Sequence, residues 1–242
     1  MTKATLKAIG DSEAVYVNKM FNKIAPTYDL LNNLMTFGLH YKWKTEMIKL
    51  VQKEIDTPSH ALDLCSGTGD LAIILNKYYP DLNITCMDNS HKMLDIAKLK
   101  IQKLKTNKIS FSLLDFEDIN YDYSSFDLIT IGFGLRNLIN KEKCIEQVYK
   151  LLATNGVFAC IDLGHPHNPI WQEIYFNYFF KVVPLLGQIV ACDKAAYTYL
   201  PESLHTWYKQ KELKELILRS GFTRCYFKDI LGGAVAIHIA VK

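Results

Sequence analysis

Ala61-Leu62-Asp63-Leu64-Cys65-Ser66-Gly67-Thr68-Gly69-Asp70 is the stretch whose reading decides the fold. Its first five residues are an apolar run with one carboxylate inside, the pattern of a buried strand. Ser66-Gly67-Thr68-Gly69 reads as a turn, and a helix is expected from Asp70 to about Tyr79, stopped near Pro80. Glycine in such a turn takes angles that other residues avoid and lets the backbone approach a ligand closely. Asp63 can offer its carboxylate to a positive amino group. Asp88 closes the next predicted strand, Asn83 to Asp88, 19 residues after Gly69, where a carboxylate can accept both hydroxyls of a ribose. Gly67-x-Gly69-x-x-Ala72 also satisfies the dinucleotide fingerprint, so a nicotinamide- or flavin-dependent oxidoreductase stands as a rival reading. Asp63 argues against it, because it would face a pyrophosphate unfavourably.

Outward from this loop, strands and helices alternate. Helix is expected over Ser90 to Lys105, strands over Ile109 to Asp115 and Phe126 to Phe133, and helix over Lys141 to Leu152, stopped at Asn155-Gly156. Val157 to Leu163 reads as a strand and Gln210 to Ser220 as a helix capped by Gly221. Thr223 to Ile230 and Ala234 to Val241, joined by Leu231-Gly232-Gly233, read as a terminal β-hairpin. This order predicts an α/β fold: a mostly parallel, Rossmann-like sheet of seven strands, covered on both faces. Before it, Val15, Met20, Ile24, Leu30, Leu31, Leu34 and Met35 recur at helical spacing, with a break expected at Ala25-Pro26. We therefore expect one domain: a helical cover over residues 1–55, and a core over 56–242 with a helical insertion near 168–208.

Composition narrows the function. The chain has 242 residues, 49% hydrophobic and 22% charged, as in folded globular proteins. A net charge of +3 and the lack of a dense basic block argue against nucleic acid as a partner. Six lysines between Lys92 and Lys108 read as the solvated face of a helix. The six cysteines include no C-x-x-C pair, so no metal site is expected, and they fit a reducing cytoplasm. Met1 to Gly10 lacks the apolar core of a secretory signal. Tyr175 to Cys192 is the most apolar stretch, but Lys181, Pro184 and Gln188 interrupt it too often for a bilayer span.

Several co-linear motifs resemble one family, the UbiE/MenG C-methyltransferases of menaquinone and ubiquinone synthesis. They are Phe21-Asn22-Lys23-Ile24-Ala25-Pro26-Thr27-Tyr28-Asp29-Leu30-Leu31-Asn32, Phe37-Gly38-Leu39-His40 with Trp43-Lys44, and the Leu62–Asp70 loop. Gly132-Phe133-Gly134-Leu135-Arg136-Asn137 is the most family-specific, followed by Tyr199-Leu200-x-Glu202-Ser203 and Gly232-Gly233-x-x-Ala236-x-His238. The resemblance implies the class I methyltransferase fold, S-adenosyl-L-methionine as cofactor and a demethylmenaquinol-like ring as methyl acceptor. It implies cofactor contacts at Thr68, Asp88, Asp115 and Phe116, beside Asp63, Gly67 and Gly69 of the loop. Phe116 departs from the family's usual alanine. Asp162-Leu163-Gly164-His165-Pro166 and Trp207-Tyr208 also depart from the family pattern, near the expected acceptor pocket.

Transfer of a methyl group to carbon needs an electron-rich ring, in-line alignment and in some cases a base. Arg136 follows strand four, at the carboxyl edge where α/β folds bind ligands, and can stabilise a developing phenolate. Asn137 can orient the same oxygen. His165 follows strand five at that edge and is a candidate base, whereas His238 reads as a packed strand residue. Tyr28 and Asp29 belong to a cover that closes over the cofactor and excludes water. The aromatic run Trp171, Tyr175, Phe176, Tyr178, Phe179 and Phe180 reads either as the wall of an apolar pocket or as helix core. The Trp171 to Val190 helix is also a candidate for peripheral membrane contact or a homodimer face. The alternatives are a methyltransferase acting on another small acceptor, the oxidoreductase above, and a non-catalytic cofactor-binding subunit of a quinone-synthesis complex.

Overall fold

The computed structural model of the chain describes residues 13–191, 203–204 and 206–242. Met1 to Gly10, Cys192 and the Tyr199, Leu200 and Glu202 positions of one motif lie outside the described residues. Among the described residues two helices come first: α1 (Glu13–Thr36) and α2 (Leu39–Val51). The sheet then builds through β1 (His60–Leu64), α3 (Asp70–Tyr78), β2 (Asn83–Asp88), α4 (His91–Gln102), β3 (Ile109–Leu113) and β4 (Phe126–Gly132). It continues through α5 (Lys141–Leu151), β5 (Leu152–Leu163), α6 (Pro169–Asn177), a π-helical turn over Tyr178–Val182, and α7 (Val183–Ala191). The last described elements are α8 (Gln210–Arg219), β6 (Arg224–Ile230) and β7 (Val235–Val241).

Seven strands are ordered β3-β2-β1-β4-β5-β7-β6 among the described residues. The first five strands pair in parallel, while β7 runs antiparallel between β5 and β6. This is the expected sheet with its terminal hairpin. Strand order reverses between β1 and β4, and open α/β sheets bind ligands at the carboxyl ends of such a switch point. Leu62, Leu64, Ile84, Ile131 and Phe158 are fully buried beneath it. Each such side chain contributes about 1.5–3 kcal/mol on leaving water, so the rim above stands on a rigid floor.

Two element boundaries differ from the sequence reading. The helix does not break at Ala25-Pro26: α1 runs through Pro26, whose ring is exposed. Proline inside a helix costs about 3 kcal/mol. Burial of Met20, Ile24, Ala25 and Leu31 against Met93 and Val183 offsets it. The chain turns instead at Phe37 and Gly38, with φ of 52° and 71°. Likewise Asn155-Gly156 is not a helix stop. Helix α5 ends at Leu151, and Asn155 (φ 62°) and Gly156 lie inside β5, near an irregularity in its pairing with β4.

Candidate functional site

Above the β1–β4 switch point lies a cavity of about 340 Å³. Its floor is the carboxyl edge of the sheet: Cys65 and Gly67 after β1, Asp88 ending β2, Asp115 and Phe116 after β3, and Gly134 and Asn137 after β4. A Cβ built on Gly67 (φ +54°) would meet nothing within 4 Å, so the missing side chain leaves open space against bare backbone. Gly69 (φ +80°) has a different task, because a Cβ there would lie 3.1 Å from Ala97 Cβ. It lets the loop pack closely on α4. Asp88 holds the loop from the other side: its Oδ2 accepts from Gly67 N at 2.9 Å and its Oδ1 from Ser90 N at 2.8 Å. Burial raises its pKa, and these amide bonds oppose the rise. Asp115 accepts from Asn89 Nδ2 at 2.8 Å and from Glu117 N at 3.1 Å.

Behind the loop sits an ionic network that ties four elements together. Lys100 of α4 donates to Asp29 of α1 at 2.8 Å and to Asp70 of α3 at 2.6 Å. Lys44 of α2 donates to the other Asp70 oxygen at 2.7 Å, and Thr68 Oγ1 donates to Asp29 at 2.6 Å. Burial alone would raise the Asp70 carboxyl; Lys44 and Lys100 instead hold it below its ordinary value. For Lys100, burial would lower the pKa, but the two aspartates hold it above. Further up α1, Ser90 Oγ donates to Asn22 at 3.0 Å. Helix α1 is thereby fastened across the cavity, and Ala14, Val17, Phe21 and Tyr28 form its roof.

A second, largely apolar cavity of about 270 Å³ lies against the first, and Phe21, Tyr28 and Phe133 line both. Trp171, Tyr175, Tyr178 and Phe179 wall it on the side of the inserted helices. The hydroxyls of Tyr175 and Tyr178 donate to Ala234 O and Met35 O at 3.1 and 2.8 Å, so they are turned to backbone. Arg136 borders this cavity. Its guanidinium donates to Asp162 Oδ1 at 2.5 Å and to Phe133 O at 2.8 Å. Asp162 also accepts from the Arg136 and Leu163 amides, so cation and carboxylate are buried as one unit.

A glycine loop between β1 and α3, acidic ends on the next strands and a roof of N-terminal helix form one constellation, in a chain whose family is shown by sequence comparison. The model of the ubiE/COQ5 methyltransferase family matches residues 9–242. The chain belongs to the ubiE/COQ5 methyltransferase family. A demethylmenaquinone methyltransferase from Leptospira interrogans is 37% identical over 234 residues, covering 95% of this chain and 94% of that protein. A ubiquinone/menaquinone biosynthesis C-methyltransferase UbiE from Rickettsia akari is 36% identical, covering 93% and 92%. Among solved structures, a Thermotoga maritima S-adenosylmethionine-dependent methyltransferase shares the fold with a TM-score of 0.65 at 14% identity, covering 93% of this chain and 99% of that one.

As a ubiE/COQ5 methyltransferase the chain is an S-adenosylmethionine-dependent enzyme, and the oxidoreductase reading falls. The residues present fit that cofactor. The open space at Gly67 and the Asp88 and Asp115 carboxylates suit an adenosyl group, and the volume lies in the range of small-molecule sites. Asp63 is fully buried below: its Oδ1 accepts from Thr130 at 2.7 Å and its Oδ2 has no partner among the described residues.

The structure brings Tyr28, Gly67, Asp88, Asp115, Phe116 and Asn137 into the wall of this cavity. It does not bring Asp63, Thr68 or Gly69 there, since strand pleating and the turn point them into the core, the ionic network and α4. His165 lines neither cavity; its Nε2 lies 3.1 Å from Trp207 O, and its ring meets Phe176. His238 is buried against Gln210 O at 2.9 Å, and burial lowers its pKa to about 4. Four of the six aromatic residues expected at a pocket wall reach it; Phe176 and Phe180 do not. Sequence reasoning missed Lys100, which leaves the solvated lysine face to join the network, and Lys44 and Asp70 with it. Asp70 and Lys100 are 30 residues apart, and no spacing rule couples them.

Proposed function

We propose that this methyltransferase adds a methyl group to a ring carbon of a demethylmenaquinol-like quinol. The apolar cavity carries the reading: it abuts the cofactor cavity through Phe21, Tyr28 and Phe133 and has one buried guanidinium, Arg136, at its border. A fused aromatic ring fits such walls, and the Leptospira relative bears the corresponding name. When bound, S-adenosylmethionine supplies an electrophilic methyl group. The chain's residues do the rest. Tyr28, Asp88, Asp115 and Phe116, which line the first cavity, would hold the adenosyl end, with Asp63 buried beneath the loop. Residues 1–55 serve as the cover and 56–242 as the core. Phe21 and Phe133 fix the ring next to the methyl donor, and alignment of reacting atoms about 3–3.5 Å apart supplies much of the rate. Arg136, at the border of the apolar cavity, stabilises negative charge that grows on the quinol oxygen as its proton passes to solvent, while Asn137, whose Oδ1 has no partner among the described residues, offers an acceptor from the wall of the adjoining cavity. His165 is not among the described residues that line either cavity, so no role in the step is assigned to it.

The test is turnover of S-adenosylmethionine against a panel of reduced quinols and simple phenols. Quinol methylation should dominate, and Arg136→Lys should lower kcat by about 10²–10³-fold, the scale for loss of one preorganised donor, with cofactor affinity little changed. Lysine keeps the charge against Asp162, so a fold defect is separable by thermal melting. Preferred methylation of a non-quinol phenol would instead support the other-acceptor alternative, and no turnover with any acceptor the non-catalytic one.

A further inference from the structure

The roof of the cofactor cavity does not rest on the sheet. Met20, Ile24, Ala25 and Leu31 of α1 are buried with Met93 of α4 and Val183 of α7 in a cluster of their own, separate from the main core. Where α1 passes over the cavities, Phe21 and Tyr28 border open space instead of packed side chains. Polar tethers hold the helix there. In its N-terminal half, Asn18 Nδ2 donates to Asn89 O at 2.7 Å and Asn22 Oδ1 accepts from Ser90 Oγ at 3.0 Å. In its C-terminal half, Asp29 accepts from Lys100 Nζ at 2.8 Å and from Thr68 Oγ1 at 2.6 Å. Pro26 lies between the two sets. It has no N–H to give to the Asn22 carbonyl, so one rung of the helix ladder is missing there. The first tethers therefore constrain the residues beyond Pro26 only weakly, and Asp29 becomes the point that fixes them. The residue next to it, Tyr28, lines both cavities.

We propose that Lys100 is a positioning residue for methyl transfer: through Asp29 it fixes the second half of α1, and with it Tyr28, over the meeting point of the two cavities. Its place in the fold suits it to this. The Lys100 amine comes from α4, reaches α1 through Asp29, and reaches the first residue of α3, Asp70, at 2.6 Å. It also lies 3.2 Å from Thr68 Oγ1 in the glycine loop. Cover and cofactor loop thus share one cation, and a shift of either is felt by the other. Charge bookkeeping separates Lys100 from its neighbours. Asp70 is 6% exposed and pairs with both lysines, so its loss would strand two cations. Loss of Lys100 leaves Asp70 its bond to Lys44 at 2.7 Å, and takes the Lys100 cation from Asp29, whose side chain is 30% exposed. The cost then falls on the attachment of α1 and not on the core.

The test compares Lys100→Met and Lys100→Arg with the wild type, each as the full chain. Methionine keeps an unbranched stem and removes the charge. Calorimetry should show S-adenosylmethionine bound about fivefold more weakly by the methionine variant, less than the loss of a fully buried charged bond because Lys100 and Asp29 are partly exposed. Its melting temperature without cofactor should stay within about 4 °C of the wild type. Hydrogen exchange of the cofactor-free protein should quicken across residues 27–36 and stay near wild type over 18–25 and in β1. At saturating cofactor, kcat should fall more than the acceptor KM rises, because Tyr28 is then misplaced between donor and acceptor. Arginine can still bridge the two carboxylates, so Lys100→Arg should restore affinity, exchange and kcat. Unchanged cofactor affinity or unchanged kcat in the methionine variant would overturn the proposal. So would exchange that quickens evenly through the core, or an arginine variant as impaired as the methionine one, since either would make Lys100 a general support of the fold. Binding and exchange need no methyl acceptor. If the wild type methylates no quinol, the quinol reading falls and those two measurements still decide the role of Lys100.

Discussion

Replacing Asp63 with asparagine should stabilise the ligand-free protein in mild alkali and leave it nearly unchanged in acid. Asp63 is 0% exposed, and only Oδ1 has a partner, the Thr130 hydroxyl at 2.7 Å. Burial pushes its carboxyl from the ordinary 3.8 up to about 7; the Thr130 bond and the Lys44 charge oppose that rise. The fold therefore favours the neutral acid. A carboxyl whose pKa is higher folded than unfolded costs nothing below the unfolded value and destabilises progressively as pH rises to the folded value. Between 3.8 and about 7 this amounts to about 4 kcal/mol at about 1.4 kcal/mol per pH unit. Asparagine cannot ionise and, like the neutral acid, still offers Thr130 an acceptor. Both forms leave one polar group unpaired, so that penalty cancels. Urea unfolding should place the two proteins within about 1 kcal/mol at about pH 4, and the variant ahead by about 2–4 kcal/mol at about pH 8, with equal m-values. A difference that stays flat across this range would refute the reasoning, because it would mean that the folded protein ionises Asp63 as readily as water does.

Asp88→Ala removes the carboxylate that holds the Gly67 amide and lines the cofactor cavity. Calorimetry should show S-adenosylmethionine binding weakened by about 1.5–3 kcal/mol, the scale for bonds to a charged group, and no NAD binding by either protein; unchanged affinity would remove Asp88 from the site. The two loop glycines should separate cleanly. Gly67→Val strains a left-handed backbone (φ +54°) but places its branches in open cavity space, so it should reduce cofactor affinity more, and melting temperature less, than Gly69→Val. Gly69→Val drives into Ala97 and Ile101 and should reduce melting temperature first. Equal effects of both substitutions on affinity and stability would contradict the division of labour between them.

Much of the fold was legible because its signals are local. The apolar run from Ala61, the glycine turn, Asp88 at a strand end and the terminal hairpin each depend on residues that are neighbours in the chain. Alternation of strand and helix, with right-handed crossovers, then leaves few ways to wind the sheet. The family was legible for the same reason: its motifs are contiguous. Where the structure differs from the reading, a distant partner decided. Pro26 sits in an unbroken helix because Met93 and Val183, far along the chain, bury the face beside it. Thr68 and Gly69 lie in the loop that was read correctly, yet their side of it faces Asp29 and α4. His165 reached the right sheet edge, but Trp207 O stands beside its ring. Sequence by itself determined which elements form, their order and the sheet edge at which the candidate cavity lies, because periodicity and turn chemistry act over a few residues. Only the tertiary structure decided which side chains on that edge face the cavity, that Lys44, Lys100, Asp29 and Asp70 meet, and that an apolar cavity shares Phe21, Tyr28 and Phe133 with it. Those outcomes depend on side-chain direction and on the low dielectric of a packed interior, and neither exists until the distant segments have come together.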